Sequence, residues 1–376
     1  MKKKIFFNKP YINLDAKKNI LDVLKKKNFT DGFYQKKCEN FIKKKIKSLS
    51  IQLTHSCTSA LETAMILIKL KKGDEVIIPS YTFTSTANCI MMRGAKPVFV
   101  DVKSEDLNID SEQIEKKINK NTKAIILVHY AGISCDMDEI IKIKNKYNLF
   151  LIEDAAHAFL GKYKNSFLGT LGDFGAFSFH ETKNLIAGQG GALSINNKKF
   201  IKRAQLILDK GTDRSFIENK KKYYSWKDIG SEFRAPELAS ALLYSQLKNS
   251  NFIQNKRKII WEYYYKKIGL FKSDNFYTLN KDNKYKKSAY HTFPIIFQNL
   301  KVRDLFIKYM KSKNIDCFFH YYPLHLSSFG KKISKIKLKN TEKIYNGLVR
   351  LPLYPTLKKN ELEHITKLVI NFIKKL

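Results

Sequence analysis

The stretch Phe177 to Asn184 (FSFHETKN) carries a serine, Ser178, and a lysine, Lys183, five residues apart, with apolar residues before it and Gly188, Gly190 and Gly191 after it. A lysine attacks an aldehyde carbon only as the free amine, so a reactive one needs a desolvated setting or a nearby cation to lower its pKa. The apolar run entering this stretch and the glycine turn leaving it supply such a setting, although a single lysine in so basic a chain is ordinarily a surface ammonium. Three further groups have residue types that do chemistry. Ser56-Cys57-Thr58-Ser59-Ala60 is a small-residue turn opening a helix, where unpaired N–H groups, the positive dipole end and the Thr58 and Ser59 hydroxyls can hold a phosphate, or simply cap the helix. Glu153-Asp154-Ala155-Ala156-His157 follows the apolar FLI. An acid there caps a helix or pairs with a cationic ring nitrogen, and the two alanines let a flat ring approach. Pro79-Ser80-Tyr81-Thr82-Phe83 puts aromatics just past another apolar run, where one can stack on a planar ligand or enter the core.

The elements that must position these groups follow from periodicity. From about residue 54 to 200, short apolar runs alternate with amphipathic segments, the pattern of a mostly parallel sheet with helical crossovers. The pattern predicts helices at Ser59 to Leu70, Thr82 to Met92 and Met137 to Lys146. It predicts strands at Glu75 to Pro79, Pro97 to Asp101, Ala124 to His129 and from Phe150 into Glu153-Asp154. DFGAFSF and GGALSI read as two strands flanking the FHETKN turn. Sheets of this kind hold ligands at the carboxyl ends of their strands, where all four groups fall. Residues 236 to 267 read as one long helix or two, and after about 251 the pattern becomes mixed, with a Lys/Asn/Tyr-rich connector near 279 to 290. The expected organisation is a large domain over 1–250, its first thirty or so residues an N-terminal arm, and a smaller C-terminal domain over 251–376.

Composition excludes several classes. The 376 residues, 44% hydrophobic, suffice for a substantial core in two lobes, yet no apolar run approaches the roughly 18 residues that span a bilayer. The opening MKKKIFFNKPYINLD lacks the apolar core and cleavage site of a secretion signal, so a cytoplasmic location and no membrane partner are expected. Cys38, Cys57, Cys89, Cys135 and Cys317 are scattered singly, which signals neither disulfides nor a metal site and leaves free buried thiols. A net charge of +36 would ordinarily suggest nucleic acid, but only seven of the 70 basic residues are arginine. The lysines are spread from end to end beside abundant Asn, Ile, Phe and Tyr, as in an AT-biased coding sequence. Arginine is the residue suited to bidentate phosphate and base recognition, so no nucleic-acid partner is expected. The charge can still draw an anionic small substrate to a cleft.

Taken together, a phosphate-holding helix start, a ring stacker, an acid for a pyridinium nitrogen and an activated lysine are the components of a pyridoxal 5'-phosphate site. At these residues the sequence resembles the DegT/StrS family of sugar-nucleotide aminotransferases, a branch of the fold-type I pyridoxal phosphate enzymes. The likeness runs from Asp31-Gly32 to Leu351-Pro352-Leu353 and is carried by SCTSALE, IPSYTFTSTAN, RGAKPVFVDV, VHYAG, IEDAAH, FSFHETKN and KGTDRS. Within the family these motifs are most similar to the dTDP-4-amino-4,6-dideoxygalactose transaminases. The resemblance implies an α/β fold, with a mixed, mostly parallel sheet between helices and a smaller α+β domain.

It also implies roles. Lys183 matches the lysine that holds the cofactor aldehyde and moves the substrate proton, Asp154 the partner of the ring nitrogen, and His157 the group near the ring hydroxyl. Phe83 matches the stacking aromatic, and Thr58, Ser59 and Ser178 the phosphate binders. In His320-Tyr321-Tyr322-Pro323-Leu324-His325, the resemblance points to His325 and Tyr322 for the sugar-nucleotide pocket. His180 stays open between core residue, substrate contact and accessory base. Three departures stand out. Glu232 in Gly230-Ser231-Glu232-Phe233-Arg234 occupies the position where many relatives place an asparagine that reaches the neighbouring subunit's phosphate, so Ser231 or another group is expected to take that contact. Gln189 replaces a glutamate common before Gly190-Gly191, and Cys57 stands where glycine is commoner. The implied reaction takes an amino group from L-glutamate to a nucleotide-linked 4-keto-6-deoxyhexose, dTDP-4-dehydro-6-deoxy-D-glucose to dTDP-4-amino-4,6-dideoxy-D-galactose, for surface polysaccharide. A UDP-linked or C3-keto acceptor is the alternative. A sugar dehydratase on the same scaffold is disfavoured by the intact Lys183. A homodimer with shared sites and no metal are expected.

Overall fold

Short runs of β-branched and aromatic residues bounded by Gly, Asn and Lys turns produce most of the strands of this chain. The computed structural model describes residues 4–30, 32–216, 223–269, 271, 275–279 and 282–376. Asp31, at the edge of the family likeness, and residues 280 and 281 of the connector lie outside them. In chain order come α1 (Leu14–Lys26), α2 (Phe33–Ile46), β1 (Ser50–Thr54), α3 (Cys57–Leu67), β2 (Glu75–Pro79), α4 (Thr84–Met91), β3 (Lys96–Val100), α5 (Ser111–Lys117), β4 (Thr122–Val128), α6 (Met137–Lys146) and β5 (Phe150–Asp154). Next are the two-residue β6 (Lys162–Tyr163) and β7 (Ser166–Phe167), then β8 (Phe174–Ser178), β9 (Gly191–Ile195), α7 (Ile201–Leu208), α8 (Glu237–Lys248) and α9 (Ser250–Tyr264). The remainder comprises β10 (Phe276–Thr278), β11 (Lys286–Lys287), β12 (Phe293–Phe297), α10 (Leu300–Ser312), α11 (Gly330–Ile333), α12 (Lys339–Gly347), β13 (Leu348–Leu351) and α13 (Lys359–Ile373).

The main sheet has seven strands in the order β1-β9-β8-β5-β4-β2-β3, with β9 antiparallel to both of its neighbours and the other pairings parallel. This is the mixed, mostly parallel sheet that the resemblance implies, with a smaller unit built on the antiparallel β10-β12-β13 sheet. Strands buried on both faces read as continuous apolar runs, which is why β4 (TKAIILV) stood out in the sequence. Two apolar clusters cover the two faces of the main sheet, and a third is built from β12, β13, α10, α13 and the second half of α9. Helix α9 joins these cores, giving Ile253 to the first and Ile260 and Trp261 to the third.

In the N-terminal segment α1 packs along α8, with Asn19 donating to the Ala241 carbonyl at 3.1 Å, and Ile5 bridges to Ile315. The connector near 279 to 290 contributes β11, which pairs with β6 while Lys286 sits between Asp106 at 3.1 Å and Asp136 at 2.7 Å. The five cysteines are free, and among the described residues no helix is long and apolar enough to cross a membrane.

Strand alternation separates the two acids at the end of β5, because neighbouring side chains point to opposite faces. Glu153 is fully buried and accepts from the backbone N–H groups of Gly169, Leu171 and Gly172 at 2.6 to 2.7 Å, and it meets His129 Nε2 at 2.9 Å. It thereby fastens the loop that crosses β8 at Gly175, where a Cβ would come within 2.1 Å of the Gly169 carbonyl oxygen. Glu153→Ala would leave three buried donors without acceptors, at about 1–3 kcal/mol each. Urea unfolding is expected to register a loss of roughly 3 kcal/mol or more, and a loss below about 1 kcal/mol would contradict this role.

Candidate active site

Lys183 lies in the turn between β8 and β9, held by its own N–H to the His180 carbonyl at 2.9 Å. The pairing of Ser178 with Gly191 at the mouth of these antiparallel strands brings both ends of the turn to one place. Gly191 is required there: a Cβ would sit 2.3 to 2.5 Å from the Ser56 and Cys57 backbone, so only glycine lets β9 meet the start of α3. The Lys183 ammonium faces a cavity of about 640 Å³. Desolvation is the largest influence on it and lowers its pKa to about 8, against the raising effects of Cys57 and Asp154, with Arg350 lowering it further.

Asp154 closes the floor of the same cavity from the end of β5. Its Oδ2 accepts from Thr86 Oγ1 at 2.8 Å and its Oδ1 from the Ala156 N–H at 3.2 Å. Burial raises its pKa, opposed by these two hydrogen bonds and by the charge on Lys183. The carboxylate is thus oriented but dry, and a cation beside it would gain from the low dielectric. At the start of α3, Ser56 Oγ accepts from the Ser59 N–H at 3.1 Å, which leaves the N–H groups of Cys57 and Thr58 without an intrahelical acceptor at the positive end of the helix. Thr58 lines the cavity and its hydroxyl meets Ser85 at 2.8 Å, while Ser178 lines it from the end of β8. Phe83 is the residue before α4, and it is 57% exposed, an apolar side chain lining the cavity.

His157 also lines the cavity, with Nε2 at 3.2 Å from the Tyr321 hydroxyl. Burial, with the charges of Lys183 and Arg350, holds its pKa well below the usual range, so the ring is neutral. His180 stands on the wall, not in the core, with Nδ1 at 3.0 Å from the Thr182 hydroxyl, and Tyr322 lines the same cavity from the smaller unit. Three of the named residues are elsewhere. Ser59 turns its hydroxyl to Ser56 at 2.8 Å and to the His55 ring, behind the helix start. Ser231 is exposed outside this cavity, next to Glu232, whose carboxylate is paired with Lys210. His325 is buried with both ring nitrogens engaged, Nδ1 with Ser80 at 2.7 Å and Nε2 with Glu342 at 3.2 Å. It pins the smaller unit to the end of β2 and does not reach the cavity. From the same HYYPLH run it is His320, Tyr321 and Tyr322 that line the wall. Thr86, which orients Asp154, was passed over in the sequence. Its signal was the i, i+4 pair Thr82 and Thr86, now in contact at 2.8 Å.

The chain belongs to the DegT/DnrJ/EryC1/StrS aminotransferase family, whose model matches residues 10–370. It is 31% identical over 321 residues to the GDP-perosamine synthase of Escherichia coli O157:H7, covering 84% of this chain and 83% of that one. It is 31% identical to the UDP-4-amino-4,6-dideoxy-N-acetyl-β-L-altrosamine transaminase of Campylobacter jejuni, covering 85% of both. Its fold matches that of Helicobacter pylori PseC, an aminotransferase of pseudaminic acid biosynthesis, with a TM-score of 0.92 at 27% identity over the whole of both chains. The protein is accordingly an enzyme of the pyridoxal phosphate-dependent sugar aminotransferase family. When bound, pyridoxal phosphate supplies an aldehyde that condenses with an amine and a ring that withdraws electrons from the substrate carbon. The donor set of the cavity fits it: a desolvated amine, a buried carboxylate, an apolar ring face and a helix start.

With its pKa near 8, the Lys183 amine is half neutral at that pH, more than two units below an ordinary lysine. The rate at which cofactor-free protein takes up pyridoxal phosphate, followed by absorbance, is expected to rise with pH and level off above about 8. A rate still climbing beyond pH 10 would show that the amine is not desolvated.

Proposed function

We propose that this enzyme transfers an amino group from L-glutamate to the keto carbon of a nucleotide-linked 4-keto-6-deoxyhexose, supplying an amino sugar for surface polysaccharide. The expected acceptor is dTDP-4-dehydro-6-deoxy-D-glucose and the expected product dTDP-4-amino-4,6-dideoxy-D-galactose. The observation that carries this reading is the meeting of Lys183 and Asp154 in one cavity of about 640 Å³, the first an amine lowered to about pKa 8 and the second a buried carboxylate. The Campylobacter relative's name places an amine at C4 of a 4,6-dideoxy sugar, the position proposed here, while the two relatives' names carry different nucleotides, UDP and GDP.

In this reading Lys183 would hold the cofactor through its aldehyde, and the same amine would take a proton from one substrate carbon and return it to another. Asp154 keeps the ring nitrogen protonated, oriented by Thr86. Phe83 would offer its ring to the face of the cofactor ring, and neutral His157 would meet the ring oxygen. Thr58, Ser178 and the first N–H groups of α3 hold the phosphate, with Ser59 steadying the turn through Ser56. Tyr322 and His180 face the sugar-nucleotide, and His325 acts at a distance by seating the segment that carries Tyr321 and Tyr322. Ser231 serves the neighbouring subunit's phosphate in a homodimer. There Glu232 is tolerable beside an anion because Lys210 already pairs with it.

The test is to incubate the purified enzyme with L-glutamate and a panel of dTDP-, UDP- and GDP-linked 4-keto and 3-keto sugars, and to identify products by NMR. Formation of the 4-amino sugar from the dTDP substrate supports the proposal, whereas a deoxysugar without nitrogen would point to the dehydratase. Lys183→Ala is expected to lose the cofactor absorbance band and at least about 10³-fold in turnover.

A further inference from the structure

In the cavity that Lys183 and Asp154 share, one hydrogen bond has a direction that can be worked out. Tyr321, from the smaller unit, brings its hydroxyl to 3.2 Å from His157 Nε2. Among the described residues this is the only hydrogen-bond partner of either side chain, and His157 Nδ1 is buried with none. Two proton assignments fit the contact. If the phenol donates, Nε2 accepts, the ring proton sits on Nδ1, and one donor is left over. If Nε2 donates, the phenol proton and the Nδ1 lone pair are both left over. Buried polar groups are satisfied wherever they can be, which favours the first assignment. The choice arises only for a neutral ring. Burial is the largest influence on His157 and lowers its pKa well below the usual histidine range, and the charges of Lys183 and Arg350 lower it further.

The ring is also held in place. His157 stacks on His291 at 4.3 Å between centroids, with Tyr130 edge-on to it at 5.8 Å and His320 at 5.6 Å. His291 is fixed in turn by Asn184, the residue after Lys183. The Ala289 carbonyl can only accept, so the amide group within 2.6 Å of it is Asn184 Nδ2. That leaves Asn184 Oδ1 facing His291 Nδ1 at 2.9 Å, where it accepts that N–H. One network therefore joins the lysine turn, His291, His157 and Tyr321. Three histidines stand close together here, yet among the described residues no group is arranged to hold a metal ion.

We propose that Tyr321 is a positioning residue that sets the tautomer of His157: its hydroxyl donates to Nε2, the proton stays on Nδ1, and His157 thereby becomes a hydrogen-bond donor to the ring oxygen of pyridoxal phosphate. The inference rests on the cofactor reading of this cavity and adds to it what His157 does there. A donor beside that oxygen favours its negatively charged form. The opposite tautomer would present a lone pair to the same oxygen and favour the protonated form instead. Asp154 holds a proton on the ring nitrogen, and His157 keeps one off the ring oxygen. The two residues act on opposite sides of one charge distribution, and each is oriented by a hydroxyl: Thr86 for Asp154 and Tyr321 for His157.

Long-range proton–nitrogen NMR correlation on the full-length protein with labelled histidine, before and after loading with pyridoxal phosphate, reads the tautomer directly. The His157 signals are assigned by their loss in His157→Gln. In the wild type Nδ1 is expected to carry the proton and Nε2 to be bare. In Tyr321→Phe, which keeps the ring and removes the hydroxyl, the two nitrogen shifts should move toward each other as the tautomers mix. The visible spectrum of the loaded protein gives a second reading. The ratio of the long-wavelength band, from the ring oxyanion, to the short-wavelength band is expected to fall about 2- to 10-fold in Tyr321→Phe, the worth of one neutral hydrogen bond. In His157→Gln, whose amide brings its own N–H donors, adding Tyr321→Phe should leave that ratio unchanged, whereas a merely structural role for Tyr321 would move it again. A proton on Nε2 in the wild type, or shifts and band ratio unmoved by Tyr321→Phe, overturns the proposal, and should that variant not fold, the wild-type shifts decide alone. Failure to take up pyridoxal phosphate falls instead on the cofactor reading, since the tautomer is read without it.

Discussion

A lysine ammonium is inert toward an aldehyde until it gives up its proton, and water opposes that loss. Everything around Lys183 serves to remove water from it. The antiparallel pairing of β8 and β9 turns the chain back so that the lysine is presented on a short connection, not on a mobile loop. Gly191 lets that connection press against the start of α3. The smaller unit then closes the other side with Tyr321 and His320. The main sheet is mostly parallel, but this one antiparallel strand is what makes the turn carrying Lys183 possible.

The same logic divides the two acids of β5. A dry carboxylate is useful only where a cation will arrive, and costly elsewhere. Asp154 is aimed into the cavity, where a protonated ring nitrogen would answer it. Glu153, one residue earlier and on the other face, is satisfied by three backbone N–H groups and never sees the ligand. Similar chemistry one position apart is thus spent on architecture in one case and faces the cavity in the other.

Much of this was visible in the chain. β2 at Glu75–Pro79 and α6 at Met137–Lys146 match the periodicity to the residue, because continuous apolar runs and amphipathic spacing are local properties. The grouping of Ser178, Lys183, Asp154, Thr58 and Phe83 also followed from local signals, since each stands just past an apolar run and a parallel sheet collects such positions. What could not be read is set by long-range packing. In HYYPLH, polar and aromatic residues alternate without a period, so which of them meets the cavity depends on how the two units seat. His325 is drawn to Ser80, and Tyr321 and His320 take the wall. Arg350, before the apolar LPL, carries no local signal, and its place in a cavity with no Asp or Glu among the described lining residues emerges only when β13, α9 and the N-terminal Phe7 come together. Residues 4–30 carried no sign that α1 would pack on α8, because that helix is stabilised by its neighbour more than by its own composition.

The proposal makes Lys183, one lysine among the many in this chain, the covalent anchor of the cofactor. Borohydride reduction of the purified, cofactor-loaded enzyme followed by peptide mass spectrometry tests it directly, since reduction makes the linkage permanent. The account predicts a single pyridoxyl phosphate adduct, on Lys183 in the peptide containing FSFHETKN. An adduct on any other lysine, or none on protein that shows the cofactor's absorbance, would contradict it.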